Sequence, residues 1–163
     1  MSEAPDQDDW AKVAGALRDL HRTLLEQARL DYEQAHSTTL NGPRFLELLA
    51  SDAFFAWLRP LSELIVDVDV VRESAAAHRT EMADALRPAV EHLLAPPATG
   101  RDTPFTVNYW RLLHADPHVA IAHAAVRMAI RSWPMPAEMD TAAQLHERHR
   151  LAEKARHLPF GRK

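Results

Sequence analysis

Apolar residues recur at helical spacing through most of this chain. Trp10, Val13, Leu17, Leu20, Leu24, Ala28, Tyr32 and Ala35 are separated by three or four residues and form one stripe. The spacing predicts a helix from Trp10 to His36, capped by Asp8 or Asp9. At ~1.5 Å per residue it is a rod of roughly 40 Å. Residues 37–42 then read as a turn. Pro43 opens a short helix through Ala50, with Phe45, Leu46, Leu48 and Leu49 directed at a core. Ser51 and Asp52 precede an element containing Phe54, Phe55, Trp57 and Leu58, and Pro60 forces either a kink or a restart. Leu61, Leu64, Ile65, Val68 and Val71 continue the apolar face. Met82, Leu86, Val90, Leu93 and Leu94 predict a helix from Thr80 to Leu94, with Pro88 as a point of bending.

Residues 95–103, with two prolines and Gly100, form the clearest loop. Pro104 starts a helix carrying Phe105, Val107, Trp110, Leu112 and Leu113. Asp116-Pro117 pairs a capping carboxylate with a first-turn proline. From Val119 to Ile130 the next helix is broadly apolar and is expected to be central. Pro134 and Pro136 end it, and a final polar helix is expected from Ala137 to Leu158, at the periphery or in an oligomer contact. Neither strand alternation nor a long-period repeat is present. The fold class expected is all-α, an antiparallel up-and-down helical bundle of about four long helices plus one or two short ones.

Composition sharpens this picture modestly. The 163 residues suit one domain. Expected divisions are an acidic flexible N-terminus (1–9), a helical bundle domain (10–133), and a peripheral polar helix with a basic C-terminal tail (134–163). The absence of cysteine removes disulfides, thiolate metal sites and cysteine nucleophiles. The acidic start is unlike a secretory signal, and no run approaches the roughly 20 apolar residues of a membrane span. A cytoplasmic location without membrane association is therefore expected. A net charge of −4 implies no partner by itself. Its distribution is uneven, with Glu3, Asp6, Asp8 and Asp9 at one end and six bases after His146 at the other. Solvated termini explain both ends, since the basic run lacks interleaved aromatics.

Candidate chemistry begins with ten histidines. A metal site in a helical bundle needs ligands on converging faces of at least two helices. His114 and His118 have suitable spacing, but Asp116-Pro117 interrupts the helix between them. His118 and His123 are five apart, and His149 with Glu153 lies in a polar stretch without a matching pair. His21, beside the Leu17–Leu24 stripe, and His123, among alanines, read first as partly buried core histidines. Facing one cavity, they would make a pair sensitive to pH. Glu63 and Asp67 share a helix face and could bind a cation or act as acid and base; a solvated face explains them more simply. Arg59 can pair with Asp52 or with a carboxylate of another helix, locking the Pro60 kink.

Aromatic residues are concentrated in Phe54, Phe55, Trp57, Phe105, Tyr109 and Trp110. Core packing accounts for most of them. Two adjacent phenylalanines cannot both face inward on one helix, so one meets a neighbouring helix, a ligand or a second subunit. That points to an apolar groove or a homodimer interface. Residues 105–133 loosely suggest a helix-turn-helix, but the second helix offers only Arg127 and Arg131 for reading bases, so nucleic acid is not an expected partner. No serine or threonine sits in a glycine-rich elbow.

The segment Asp52-Ala53-Phe54-Phe55-Ala56-Trp57-Leu58-Arg59-Pro60-Leu61-Ser62-Glu63-Leu64-Ile65-Val66-Asp67 resembles that of a group of uncharacterised bacterial helical proteins, and residues 116–127 resemble a second stretch of the same group. The resemblance extends to about Trp133 and implies a small bacterial helical protein, without assigning catalytic residues or a cofactor. The functional expectation is a non-enzymatic interaction or small-ligand-binding module, as a homo-oligomer, with its site beside residues 52–67. The residues singled out are Phe54, Phe55, Trp57, Arg59, Glu63, Asp67 and Trp110. A metal-binding bundle or metalloenzyme, built on His21, His114, His118 and His123, is the alternative. No catalytic motif is recognisable, and the identity of any cofactor is left open.

Overall fold

The computed structural model describes residues 5–100 and 102–133, and these form an all-helical bundle. The polar helix and basic tail expected after Trp133, with the His149–Glu153 pair, lie outside the described residues. The first helix, α1 (Gln7–His36), starts three residues earlier than the stripe predicts because Asp6 is its cap. The Asp6 carboxylate accepts the Asp9 N–H at 2.8 Å, while Asp8 and Asp9 fall inside the first turn. At the other end Ser37 adopts a left-handed conformation, φ 49°, and Thr38 N–H returns to Glu33 O, satisfying carbonyls that the helix leaves open.

A short helix follows, α2 (Gly42–Ser51), capped by the Asn41 side chain on Arg44 N–H. Leu48 is buried, and Phe45 and Leu49 pack against the core. Leu46 does not join them: it is 67% exposed. Residues Ala53–Leu58 then wind as a 3₁₀ helix capped by Asp52, whose carboxylate accepts Phe54 N–H at 2.9 Å. Three residues per turn place Phe55 above Leu58 on the buried side, and Phe54 and Trp57 together on the adjoining one. At Pro60 the chain restarts as α3 (Arg59–Arg72), the proline occupying the first turn, where its missing N–H costs nothing.

The fourth helix, α4 (Ala76–Leu93), begins earlier than its apolar pattern suggests and runs continuously through Pro88. In the loop after it, Gly100 has φ 78°, a conformation open to glycine and strained for other residues. Thr103 caps α5 (Pro104–Ala115), and Asp116 caps α6 (Pro117–Ala129) through His118 N–H at 2.7 Å. A final 3₁₀ turn, Ile130–Ser132, leads into Trp133.

The centre of the bundle is α1, not α6. Its buried stripe from Trp10 to Tyr32 packs against α3 and α6, with α5 and both 3₁₀ segments completing the wall. The broad apolarity of α6 had marked it as central, but only Val119, Ala122 and Val126 are buried, while Ile121 is 68% and Met128 70% exposed. Alanine makes α6 apolar without giving it much to bury. Two ion pairs reach across the bundle from α1: Asp69 of α3 with Arg18, and Asp31 with Arg111 of α5. Among the described residues no helix is long and apolar enough to cross a membrane.

Candidate functional site

A cavity of about 420 Å³ opens beside the Asp52–Ser62 segment. Three elements build it: the middle of α1, the C-terminal end of α2, and the 3₁₀ helix with its continuation into α3. Its apolar lining comes from Leu25, Leu49, Phe55 and Leu58. These side chains are held by the core on their far sides, so the wall is fixed by packing. Its polar lining comes from His21, Ser51, Asp52, Arg59 and Ser62.

His21 and Ser62 are joined directly. The Oγ of Ser62 lies 2.9 Å from His21 Nε2 and 3.3 Å from the Leu58 carbonyl, four residues back on its own helix. Burial holds the His21 pKa below its ordinary 6.5, so the imidazole is neutral near pH 7. A neutral imidazole next to a hydroxyl can exchange one hydrogen bond for a ligand's polar group without creating a buried charge. Arg59 is exposed at the rim and forms no ion pair with Asp52 or another carboxylate among the described residues. The Asp52 carboxylate caps the 3₁₀ helix, and the Arg59 lock on the Pro60 kink does not form among the described residues.

The adjacent phenylalanines take different places. Phe55 is buried, stacked on Tyr32 at 5.3 Å and edge-on to Phe45. Phe54 is half-buried against the same Tyr32, edge to face at 5.1 Å, with His36 beside it. Of the three partners the sequence allows, the outward phenylalanine meets a neighbouring helix, α1. Trp57 leans on Phe105 at 6.1 Å, and Trp110 donates its indole N–H to the Ala95 carbonyl at 2.8 Å, closing the long loop onto α5. Of the residues singled out from the sequence, Phe55 and Arg59 line the cavity; Trp57 and Trp110 hold the scaffold beside it. The carboxylates separate: Glu63 is exposed, whereas Asp67 is only 7% exposed, so the two do not form one solvated face.

No family model, curated protein sequence or solved structure matches the chain. The assignment of a site therefore stands on geometry.

The histidines disperse. His114 packs against the Trp110 ring at 5.5 Å, and His118 pairs with its own cap residue Asp116 at 3.2 Å. Among the described residues no three His, Asp or Glu side chains are grouped as metal ligands. His21 and His123 do not face one cavity. His123 lines a second one, of about 400 Å³, that shares no residue with the first. There its Nδ1 shares a hydrogen bond with the Tyr109 hydroxyl, and burial together with the Arg127 charge lowers its pKa. Burial raises the Tyr109 pKa, which keeps the phenol protonated.

Sequence reasoning found His21 and Arg59 but missed Ser62. The only signal for Ser62 is its place one turn after Leu58, on the flank of the Leu61–Leu64 stripe, where any small polar residue would read the same way.

Proposed function

We propose that the chain is a non-enzymatic binding module for a small organic ligand, taken up in the cavity beside residues 52–62. The observation that carries this reading is the combination of a packed apolar lining with five polar side chains, in a volume within the usual range of about 300–1,000 Å³ for ligand pockets. The ligand expected has a compact apolar body and one polar end. His21 and Ser62 would orient that end, and Arg59 would favour partial or full negative charge on it. Binding is preferred over catalysis because Ser62 shares its hydroxyl with the Leu58 carbonyl and, among the described residues, nothing holds His21 Nδ1. A nucleophile–base pair needs such an orienting partner. The lack of cysteine agrees with the reducing conditions of a cytoplasm, where we place the protein.

The test is amide-resolved NMR of the full chain titrated with a library of small aliphatic and aromatic acids and amides. Saturable shifts clustered around residues 21, 25 and 49–62 support the proposal. A library that leaves those amides unmoved overturns it.

A homodimer is a second reading, favoured by Ile121 and Met128, seven residues apart on α6 and both exposed. Light scattering decides it: a doubled mass that returns to the monomer value in Ile121→Glu supports that face, and a monomer at all concentrations rejects it. Elemental analysis of the purified chain tests the remaining alternative, a metal-binding bundle.

A further inference from the structure

The second cavity has a different character. Arg87 from α4, His123 and Arg127 from α6, and Arg131 from the closing turn line it, with Glu91 as the one carboxylate among the described residues. His123, Arg127 and Arg131 are spaced four residues apart and so fall on one side of their helical stretch. Arg87 stands opposite, buried and fixed. Its Nε donates to Glu91 at 3.1 Å, and one terminal nitrogen donates to the Trp133 carbonyl. Its other terminal nitrogen has no bond among the described residues, and neither Arg127 nor Arg131 has a carboxylate partner there.

Charge within the cavity is unbalanced. Among the described residues, three guanidinium groups and one carboxylate line it, two positive charges in excess. His123 adds a polar group without adding charge. Its Nδ1 shares a hydrogen bond with the protonated Tyr109 hydroxyl. Among the described residues, Glu91 is the one acidic side chain in the lining, and the three arginines are hydrogen-bond donors. Guanidinium forks match the paired oxygens of a phosphoryl group. The volume of about 400 Å³ exceeds what a bare phosphate fills, and Ala124, Met128 and Ile130 supply an apolar wall for the remainder.

We propose that this cavity is a binding site for the dianionic phosphoryl group of a small phosphomonoester. Two excess positive charges complement a dianion, and the immobilised Arg87 supplies preorganisation. Arg127 and Arg131, both exposed, close on the anion from the α6 side. The site shares no residue with the first cavity, so either can fail without the other.

Titration of the full chain with phenyl phosphate at physiological salt, followed by calorimetry, tests the proposal. Saturable binding that falls at least tenfold in Arg127→Gln/Arg131→Gln, and persists unchanged in Arg44→Gln, supports it. Arg44 is an exposed arginine of α2, paired with Glu47 outside the cavity, and so reports diffuse attraction. Benzyl alcohol, with a ring but no phosphoryl group, is expected not to bind. Absence of saturable binding overturns the proposal, as does an equal loss in the Arg44 variant or equal binding of benzyl alcohol. Far-UV circular dichroism matching the parent confirms that the double variant is folded; a single Arg131→Gln replaces it if it is not, with a drop in affinity still required.

Discussion

Ser62 Oγ on α3 stands 2.9 Å from His21 Nε2 on α1, a hydrogen bond that couples the two helices at the rim of the first cavity. The imidazole is kept neutral by burial, and this has a consequence for stability. The unfolded chain takes up a proton at His21 near the ordinary value of 6.5, whereas the folded chain resists it. Folding therefore costs more as the pH falls through 6.5, and the loss levels off below the depressed folded value. His123, lowered by burial and by Arg127, acts in the same direction. Thermal melts between about pH 5 and 8 should show Tm falling on the acid side, with a shallower fall in His21→Gln. Parallel pH profiles for parent and variant would count against a depressed His21.

Trp10 and Trp133 join the two ends of the described chain, their rings 4.4 Å apart and both fully enclosed. Trp10→Ala should cost about 3–5 kcal/mol by urea denaturation, and Trp133→Ala a similar amount. A double-mutant cycle should return a coupling of about 0.5–1.5 kcal/mol from the ring pair beyond the area buried. Strict additivity would mean that the rings contribute only as separate core residues.

Two glycines should respond to alanine with opposite sign. Gly15 lies inside α1, and a Cβ there meets nothing within 4 Å. Gly15→Ala should stabilise by about 0.5–1 kcal/mol, because the unfolded chain loses freedom. A Cβ at Gly100 also meets nothing, but φ is 78°, so Gly100→Ala should destabilise by about 1–2 kcal/mol through backbone strain alone. Denaturation midpoints of the two variants falling on the same side of the parent would refute the contrast.

Most helix starts were legible from caps and prolines: Asp52, Asp116, Pro43 and Pro104 act where local chemistry directs, whereas the α1 cap is Asp6 in place of Asp8 or Asp9. The sequence misled where periodicity alone was used. Alanine-rich α6 looks central on hydropathy, yet side chains of one carbon bury too little for that place, and the longer stripe of α1 takes it. The segment 53–58 carries no mark that distinguishes three residues per turn from 3.6, so the placement of Phe54 and Phe55 needed coordinates. The cavity residues were partly visible. His21 and Arg59 stand out as polar groups beside apolar stripes, whereas Ser62 and Arg87 acquire meaning only from partners that lie 41 and 46 residues away. Arg127 and Arg131 were readable as a pair on one helix face, but nothing in the sequence places Arg87 opposite them.

The central claim is that the cavity between α1, α2 and the Asp52–Ser62 segment holds a small ligand. Its most direct test compares the parent with Ala56→Trp, which fills the cavity from an exposed position and leaves the core untouched. The dissociation constant of the best-binding acid or amide from the library should rise at least tenfold in Ala56→Trp, with Tm unchanged. Equal affinity in the two proteins would contradict the account.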